Sequence, residues 1–375
     1  MRVLHLMECT IGGTRRHLVD VALGQRELGY EVGVVVSTLR DESFPPDLER
    51  MRAAGVKVHV LDMLRRPAPW ADFQHLGRIK KILRNFRPDI VHTHSSKAGV
   101  LGRQASISTG IGVRVHTPHT FSFLFEALFS APKRWLYRTI ERHYAKSTQT
   151  FVAVGSGEAD TFAQAGFIDP AKVAVVSNGI DPEPYATATP SEESFGLDPN
   201  GPLVILVGLI YAAKGQDLAL AALAEAGLEQ VQLLCVGPGD TSELKAQAKA
   251  LGVTERVRFL GPRDDVPALM ARADLLLLPS RWEGLPYVVL EAMARGMPVV
   301  ATPVDGAREV VLSGVTGFLS SAINAPSVAA ALREALAQSR EEWAQMGRAG
   351  QERVAKHYSL DSMVRGLDRV YLELL

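Results

Sequence analysis

The sequence predicts an α/β protein made of two doubly wound parallel-sheet domains in series. Three observations carry this. Short apolar runs alternate with amphipathic stretches. A proline-rich segment interrupts that rhythm, and the rhythm then restarts. Charge and histidine content shift close to the same place. The apolar runs of the first half fall at 3–7, 31–37, 56–61, 89–93, 112–116, 151–154 and 173–176. They are rich in Val, Ile and Leu, as strands buried on both faces are. Helical spacing at 14–28 and 73–86 fills the intervals, and strands alternating with helices imply a parallel sheet covered on both sides. The segment 181–202 then carries Pro182, Pro184, Pro190, Pro199 and Pro202 with Gly196 and Gly201. Prolines remove backbone donors and break helices and central strands, so this segment reads as the linker. Strand-like runs resume at 203–207, 231–236, 257–260, 275–278, 299–301 and 317–319, with helices at 216–226, 242–251 and 288–295. The expected domains are 1–185 and 186–357. The terminal helix within 358–375 has Met363, Leu367, Val370 and Leu374 at helical spacing and is expected to cross back onto the first domain.

Composition bounds the function. The chain has 375 residues, equal numbers of basic and acidic side chains (41 each), 47% hydrophobic and 22% charged residues. A near-neutral chain this apolar buries a core and is not disordered, and its length suits two domains. The two cysteines, Cys9 and Cys235, sit in apolar runs and read as free thiols in a reducing compartment, not a disulfide framework. The longest apolar stretch, 202–213, is too short to cross a bilayer. The first residues lack the apolar centre of a signal peptide and are interrupted by His5 and Glu8, so a cytoplasmic location is expected. Residues 1–185 hold 24 Lys+Arg against 18 Asp+Glu, a net +6 that the remainder balances, and nine of the ten histidines lie there. No basic run exceeds two residues, which argues against nucleic acid. The excess suits an anionic small molecule or a membrane surface.

The chemistry gathers just after the strands, where doubly wound sheets bind ligands. The first loop, Thr10-Ile11-Gly12-Gly13-Thr14, follows strand one and opens a helix. Paired glycines allow close backbone approach and a helix N-terminus favours an anion, although a plain tight turn explains two glycines as well. The loop lacks the G-x-G-x-x-G spacing and acidic partner of a dinucleotide site, which argues against a nicotinamide oxidoreductase. The richest stretch is PSRWEGLPYVVLEAMA at 279–294, after the apolar run ADLLLL. Glu283 lies in its loop. Glu291 lies eight residues on, among Val288, Val289, Leu290, Met293 and Ala294. A carboxylate amid apolar residues is costly without a partner, and a carboxylate accepts two hydrogen bonds from a vicinal diol such as a ribose.

With its two spaced glutamates, SRWEGLPYVVLEAMARGMPVVAT resembles the signature of retaining glycosyltransferases of the GT-B fold, family 4 (glycosyl transferases group 1). Further matches fall in order: Gly12–Gly13, PDIVHTHSSKAG, HTPHTF, VVSNGID and VGLIYAAKG. The resemblance covers nearly the whole chain. It implies two Rossmann-like domains facing across a cleft, with acceptor on the first and nucleotide-sugar donor on the second. It gives Glu291 the donor ribose, Glu283 the hydroxyls of the transferred sugar, and Lys214, between Gly208 and Gly215, the diphosphate leaving group. A cation there would stabilise charge developing on phosphate. It gives His119 a hydrogen bond to the donor sugar, the backbone of Gly284, Leu285, Pro286 and Tyr287 a cradle for sugar and phosphate, and Pro262–Arg263 a place near the nucleobase.

Two departures stand out. Leu209 occupies the position where the family usually has an arginine beside the diphosphate, leaving Arg281 or Arg263 as substitutes, a weakened site, or lost activity. Arg15 stands where an acidic residue is common, and with Arg16 and His17 makes the loop after Gly12 and Gly13 cationic; recognition of an anionic acceptor and ordinary solvated charge both fit. His92 and His94 alternate at a strand end, but no third ligand has convincing spacing and no D-x-D is present, so no metal is assigned. Aromatic and basic residues mix through 121–142, including Phe121, Phe123, Phe125, Phe129, Lys133, Arg134, Trp135, Tyr137, Arg138 and Arg142. That mixture suits peripheral contact with an anionic inner membrane face and a lipid-linked acceptor, or a core element with a basic solvent face. The expected function is retaining transfer of a hexose or N-acetylhexosamine from a nucleotide sugar, with UDP-sugar as co-substrate and no cofactor, to a saccharide or lipid-linked acceptor in cell-surface polysaccharide or glycolipid assembly. A sugar-nucleotide-binding relative without turnover and a nucleotide-sugar epimerase are the alternatives. The sequence does not select the sugar, the acceptor or the oligomeric state.

Overall fold

The computed structural model describes residues 1–125 and 129–375. The chain divides into two compact units, Met1–Asn178 together with Leu360–Leu375, and Gly179–Ser359. In the first, β1 (Arg2–Met7), β2 (Glu31–Val36), β3 (Lys57–Val60), β4 (Ile90–His94), β5 (Val113–Thr117), β6 (Thr150–Ala153) and β7 (Val173–Val175) form one sheet. Its order is β3-β2-β1-β4-β5-β6-β7, and each recorded pairing is parallel. In the second, β8 (Leu203–Val207), β9 (Gln232–Val236), β10 (Val257–Gly261), β11 (Leu275–Leu278), β12 (Val299–Ala301) and β13 (Gly317–Leu319) form a sheet of order β10-β9-β8-β11-β12-β13, again parallel. Strand order reverses between β1 and β4 and between β8 and β11. Crevices at the carboxyl ends of those pairs are where doubly wound sheets take ligands.

All thirteen apolar runs form strands among the described residues; the ends of 203–207, 275–278, 299–301 and 317–319 coincide with theirs and the others are shifted. β5 starts one residue later than the apolar run because Gly112 has a positive φ of 78°, and β4 runs on to His94 because His94 pairs with Thr117. The proline-rich segment is not loop throughout: Glu183–Ala186 is a short helix. The unit division falls at Asn178–Gly179, ahead of the charge shift near residue 185. Two bonds tie the intervening residues to the second unit: Ile180 donates to the Tyr358 carbonyl, and the Tyr185 hydroxyl donates to Glu291.

In the first unit, Leu4, Leu6, Leu83, Phe86 and Val91 fill one face of the sheet. Met363, Leu367 and Tyr371 of the helix Leu360–Leu372 bury against Val3, Val21 and Ile90 on the other. Gly24 permits that crossing, since a Cβ there would stand 2.5 Å from Val364. In the second unit, Leu206, Leu233, Leu275 and Leu277 lie under the flanking helices with Leu220 and Leu332.

Candidate functional site

At the second unit's switch point, the loop after β8 brings Lys214 to the loop after β11. The Lys214 Nζ lies 2.6 Å from Glu283 Oε1, and the Ser280 hydroxyl donates to the same oxygen at 2.7 Å. Gly215 makes this approach sterically possible: at φ 69° its Cα faces the Pro279 carbonyl so closely that a Cβ would stand 2.0 Å from that oxygen. Burial acts to lower the Lys214 pKa, but the Glu283 carboxylate outweighs it and raises the value above that of an ordinary lysine. Lys214 is therefore a fixed cation. The backbone of Gly284 is held by a second close approach, since a Cβ on Gly306 would fall 1.9 Å from the Gly284 carbonyl oxygen. Leu285, Pro286 and Tyr287 bury their side chains, so this stretch offers a ligand mainly backbone. It leads into the helix Tyr287–Arg295, whose N-cap Pro286 provides no side-chain cap. Glu291, on that helix, is 8% exposed and accepts from the Tyr185 hydroxyl at 2.8 Å, the partner its apolar surroundings demand.

Arg281 and Arg263, the candidate substitutes for an arginine at position 209, are both paired with carboxylates. Arg281 grips Asp217 with two bonds, of 2.8 and 2.6 Å, and donates to the Ala212 carbonyl. Arg263 grips Asp265 with two bonds of 2.7 Å and reaches Glu193 at 3.0 Å. The Leu209 carbonyl accepts from Gln216 Nε2 at 2.9 Å.

In the first unit, β1 and β4 align a face of imidazoles. His5 pairs with His92, and Met7 with His94. His17 on the helix Gly12–Glu27 and His119 after β5 complete the cluster, their rings edge to face at 4.8 Å. His119 has φ 51° and Thr120 φ 77°, a conformation rare for residues with a Cβ. Glu158 stabilises that turn by accepting from the backbone N–H groups of Thr120 and Val154 at 2.7 and 2.8 Å, and burial pushes its carboxyl up to about 7. Burial holds His5 and His17 down at about 4, and His92, His94 and His119 well below the ordinary histidine value. The statement that His92 and His94 lack a third ligand holds only along the sequence. In space His5, His92 and His94 form one group, and His17, His94 and His119 another, with ring nitrogens within 4.8 Å of one another. The additional imidazoles arrive from other strands and a helix, so no local spacing announces them.

Gly12, with φ 55°, and Gly13 open the first helix. Arg15 is matched by Asp47 at 2.7 Å, Asp41 at 2.8 Å and Ser43, and Arg16 by Asp20 at 3.3 Å. Cys9 and Cys235 are free thiols. Sequence reasoning passed over Ser280, Tyr185 and Asn178. Ser280, inside the SRWEG stretch, and Asn178, inside VVSNGID, carry a local signal; Tyr185 does not.

Two family profiles match, each to one half of the chain. The glycosyl transferase 4-like domain covers residues 12–179, and glycosyl transferases group 1 covers 189–353. The D-inositol 3-phosphate glycosyltransferase of Actinosynnema mirum is 31% identical over 87% of this chain and 86% of its own length. The chain belongs to the glycosyl transferases group 1 family. A further relative, the UDP-Gal:alpha-D-GlcNAc-diphosphoundecaprenol alpha-1,3-galactosyltransferase of Escherichia coli, is 31% identical over 66% of this chain and 66% of its own length. A further D-inositol 3-phosphate glycosyltransferase, from a Mycobacterium species, matches over 55% of its length at 33% identity. Anabaena HepE, solved in complex with UDP and glucose, superposes over the whole chain with a TM-score of 0.83 at 24% identity. WaaG, a glycosyltransferase involved in lipopolysaccharide biosynthesis, covers 98% of the chain with a TM-score of 0.75 at 21% identity. The fold of this group 1 member is therefore GT-B, with a doubly wound sheet in each unit.

Proposed function

We propose that this family member is a retaining glycosyltransferase moving a hexose or N-acetylhexosamine from a nucleotide sugar to a saccharide or lipid-linked acceptor. The observation that carries the reading is the Lys214–Glu283–Ser280 cluster at the second sheet's switch point, with Glu291 on the helix that follows. UDP in the HepE complex and the UDP-sugar in the galactosyltransferase's name favour a UDP-sugar donor. In this reading Glu291 takes the ribose hydroxyls and Glu283 the hydroxyls of the transferred sugar. Lys214 exchanges part of its pairing with Glu283 for the diphosphate, and its fixed charge stabilises the leaving group as the glycosidic bond breaks. Attack comes on the face the diphosphate leaves, and the departing phosphate oxygen accepts the acceptor's proton, so configuration is retained without a glycosyl–enzyme bond. No metal ion is given a part in the transfer.

The first unit is assigned the acceptor, with Gly12, Gly13, Arg15 and Arg16 at its loop and His119 as a polar contact for the donor sugar. Peripheral membrane contact is assigned to the helix Ala131–Ala145, where Trp135 is 69% and Leu136 48% exposed beside Lys133, Arg134, Arg138 and Arg142; residues 126–128 of the same segment lie outside the described residues. Among the described residues no helix is long and apolar enough to cross a membrane. The setting proposed is the cytoplasmic face of the membrane, in polysaccharide or glycolipid assembly. The test is donor turnover with a nucleotide-sugar panel. Glu283→Gln and Lys214→Ala should each lower kcat by about 10²-fold; unchanged turnover in either overturns the reading. A second reading, sugar-nucleotide binding without turnover, is favoured by Leu209 together with the committed Arg263 and Arg281. It predicts donor binding with no release of nucleotide, whatever the acceptor.

A further inference from the structure

We propose that His17, His94 and His119 form, in the first unit, a binding site for a divalent transition-metal cation of the zinc class. Gln25 Nε2 faces the Tyr371 hydroxyl, so Gln25 Oε1, which only accepts, lies 2.8 Å from His5 Nε2. His5 therefore carries its proton on Nε2, and its neutral ring leaves Nδ1 bare. His94 Nε2, 3.0 Å away, must donate to that bare nitrogen. His94 Nδ1 is then a lone pair, and it points at His119 Nε2, 3.2 Å off. A second relay runs from the other side. Asn178 Oδ1 accepts from His17 Nδ1 at 2.9 Å, which leaves His17 Nε2 bare. That nitrogen is buried and has no hydrogen-bond partner, in a residue that is 1% exposed.

Two lone pairs with fixed tautomers thus flank His119, whose ring supplies the third once its proton sits on Nδ1. Tetrahedral zinc with nitrogen ligands at about 2.0–2.1 Å sets those nitrogens about 3.3 Å apart. The His94–His119 pair is already at that spacing, and His17 is within 4.8 Å. The relays to Gln25 and Asn178 are the outer-shell acceptors that metal-bound imidazoles use to hold orientation. The other trio, His5, His92 and His94, does not qualify. Its His5 and His94 nitrogens bond each other, and His92 is saturated by Thr117 Oγ1 and the Tyr371 hydroxyl. His119 is only half buried, which gives a cation a way in and leaves a fourth position for water or an anion. Three imidazoles and no thiolate suit Zn2+, Co2+ or Ni2+ better than Mg2+ or Ca2+.

The experiment uses the whole chain freed of any purification tag. Zn2+ affinity is measured by competition with a chromophoric chelator, and Co2+ is added as a spectroscopic probe. The expected result is about one equivalent per chain, with visible Co2+ bands of a low-coordinate nitrogen site. His17→Gln should weaken Zn2+ by about 100-fold or more, and Asn178→Ala, which removes only the relay, by about 10–100-fold. His119→Gln, at a half-exposed position, covers the case in which His17→Gln does not fold. Far-UV circular dichroism of the metal-free variants separates lost binding from lost structure. No stoichiometric binding, or affinity unchanged in folded His17→Gln or His119→Gln, overturns the proposal; in that case the imidazoles are a buried hydrogen-bond network only.

Discussion

Leu209 stands where the family resemblance leads one to expect an arginine, and its surroundings say why no nearby cation takes that place. Arg281 and Arg263 each hold a carboxylate through two bonds, so either would have to give up a two-bond ion pair to serve the diphosphate. Lys214 is left as the cation at the switch point, and it already shares its charge with Glu283. Leu209→Arg should therefore tighten UDP binding by about 10-fold or more, the worth of one charge-assisted hydrogen bond, read by calorimetric titration. The buried histidines make a second prediction. His5 and His17 hold pKa values of about 4 in the folded state against 6.5 in an ordinary histidine. The unfolded chain takes up protons that the folded chain refuses. Their stabilising contribution is thus complete above pH 6.5 and is lost as pH falls from there towards 4. Metal-free protein should lose Tm steeply through that window, with more than one proton bound on unfolding. A flat Tm from pH 7 to 4.5 would contradict it. The glutamate pair was legible in the sequence because both members sit in one short motif. The histidine cluster was not, since His5, His17, His94 and His119 come from two strands, a helix and a loop whose neighbourhood only the parallel sheet creates.

Among the elements, the loops after β8 and β11 depend on a backbone approach that only glycine allows. Gly215→Ala would set a Cβ 2.0 Å from the Pro279 carbonyl oxygen at φ 69°, so the loops must part. The expected cost is about 3 kcal/mol or more, from strain and a displaced Lys214, seen as a lower Tm together with weaker donor binding. Tyr185→Phe removes the hydroxyl that Glu291 accepts from. Leaving that buried carboxylate short of a donor should cost about 1–3 kcal/mol, measurable by urea denaturation. Element positions were largely readable because continuous Val/Ile/Leu runs have little alternative to a buried parallel strand. The short helix Glu183–Ala186 was not, because prolines mark both a linker and a first helical turn, and Pro182 and Pro184 serve the second.

At the scale of the molecule, the charge shift near residue 185 lies beyond the division at Asn178–Gly179, and the residues between are tied to the second unit through the Ile180 N–H and the Tyr185 hydroxyl, which charge counting does not see. The terminal helix is different: its apolar spacing states in advance that one face must be covered. Deleting Leu360–Leu375 exposes Val3, Val21 and Ile90 and removes the Tyr371 hydroxyl from His92. Differential scanning calorimetry should then lose the transition of the first unit. A thermogram identical to that of the full chain would contradict this. That helix also has a bearing on biosynthesis. Along the chain, the first unit's sheet precedes the second unit and its covering helix follows it. The second unit's whole sequence is available before the first unit is covalently complete. Until that helix emerges, the face around Val3 and Ile90 remains open to water and to other chains. A chain interrupted before Leu360 would carry an intact second unit and an uncovered first, which makes this late helix the point where quality control of the fold is most needed.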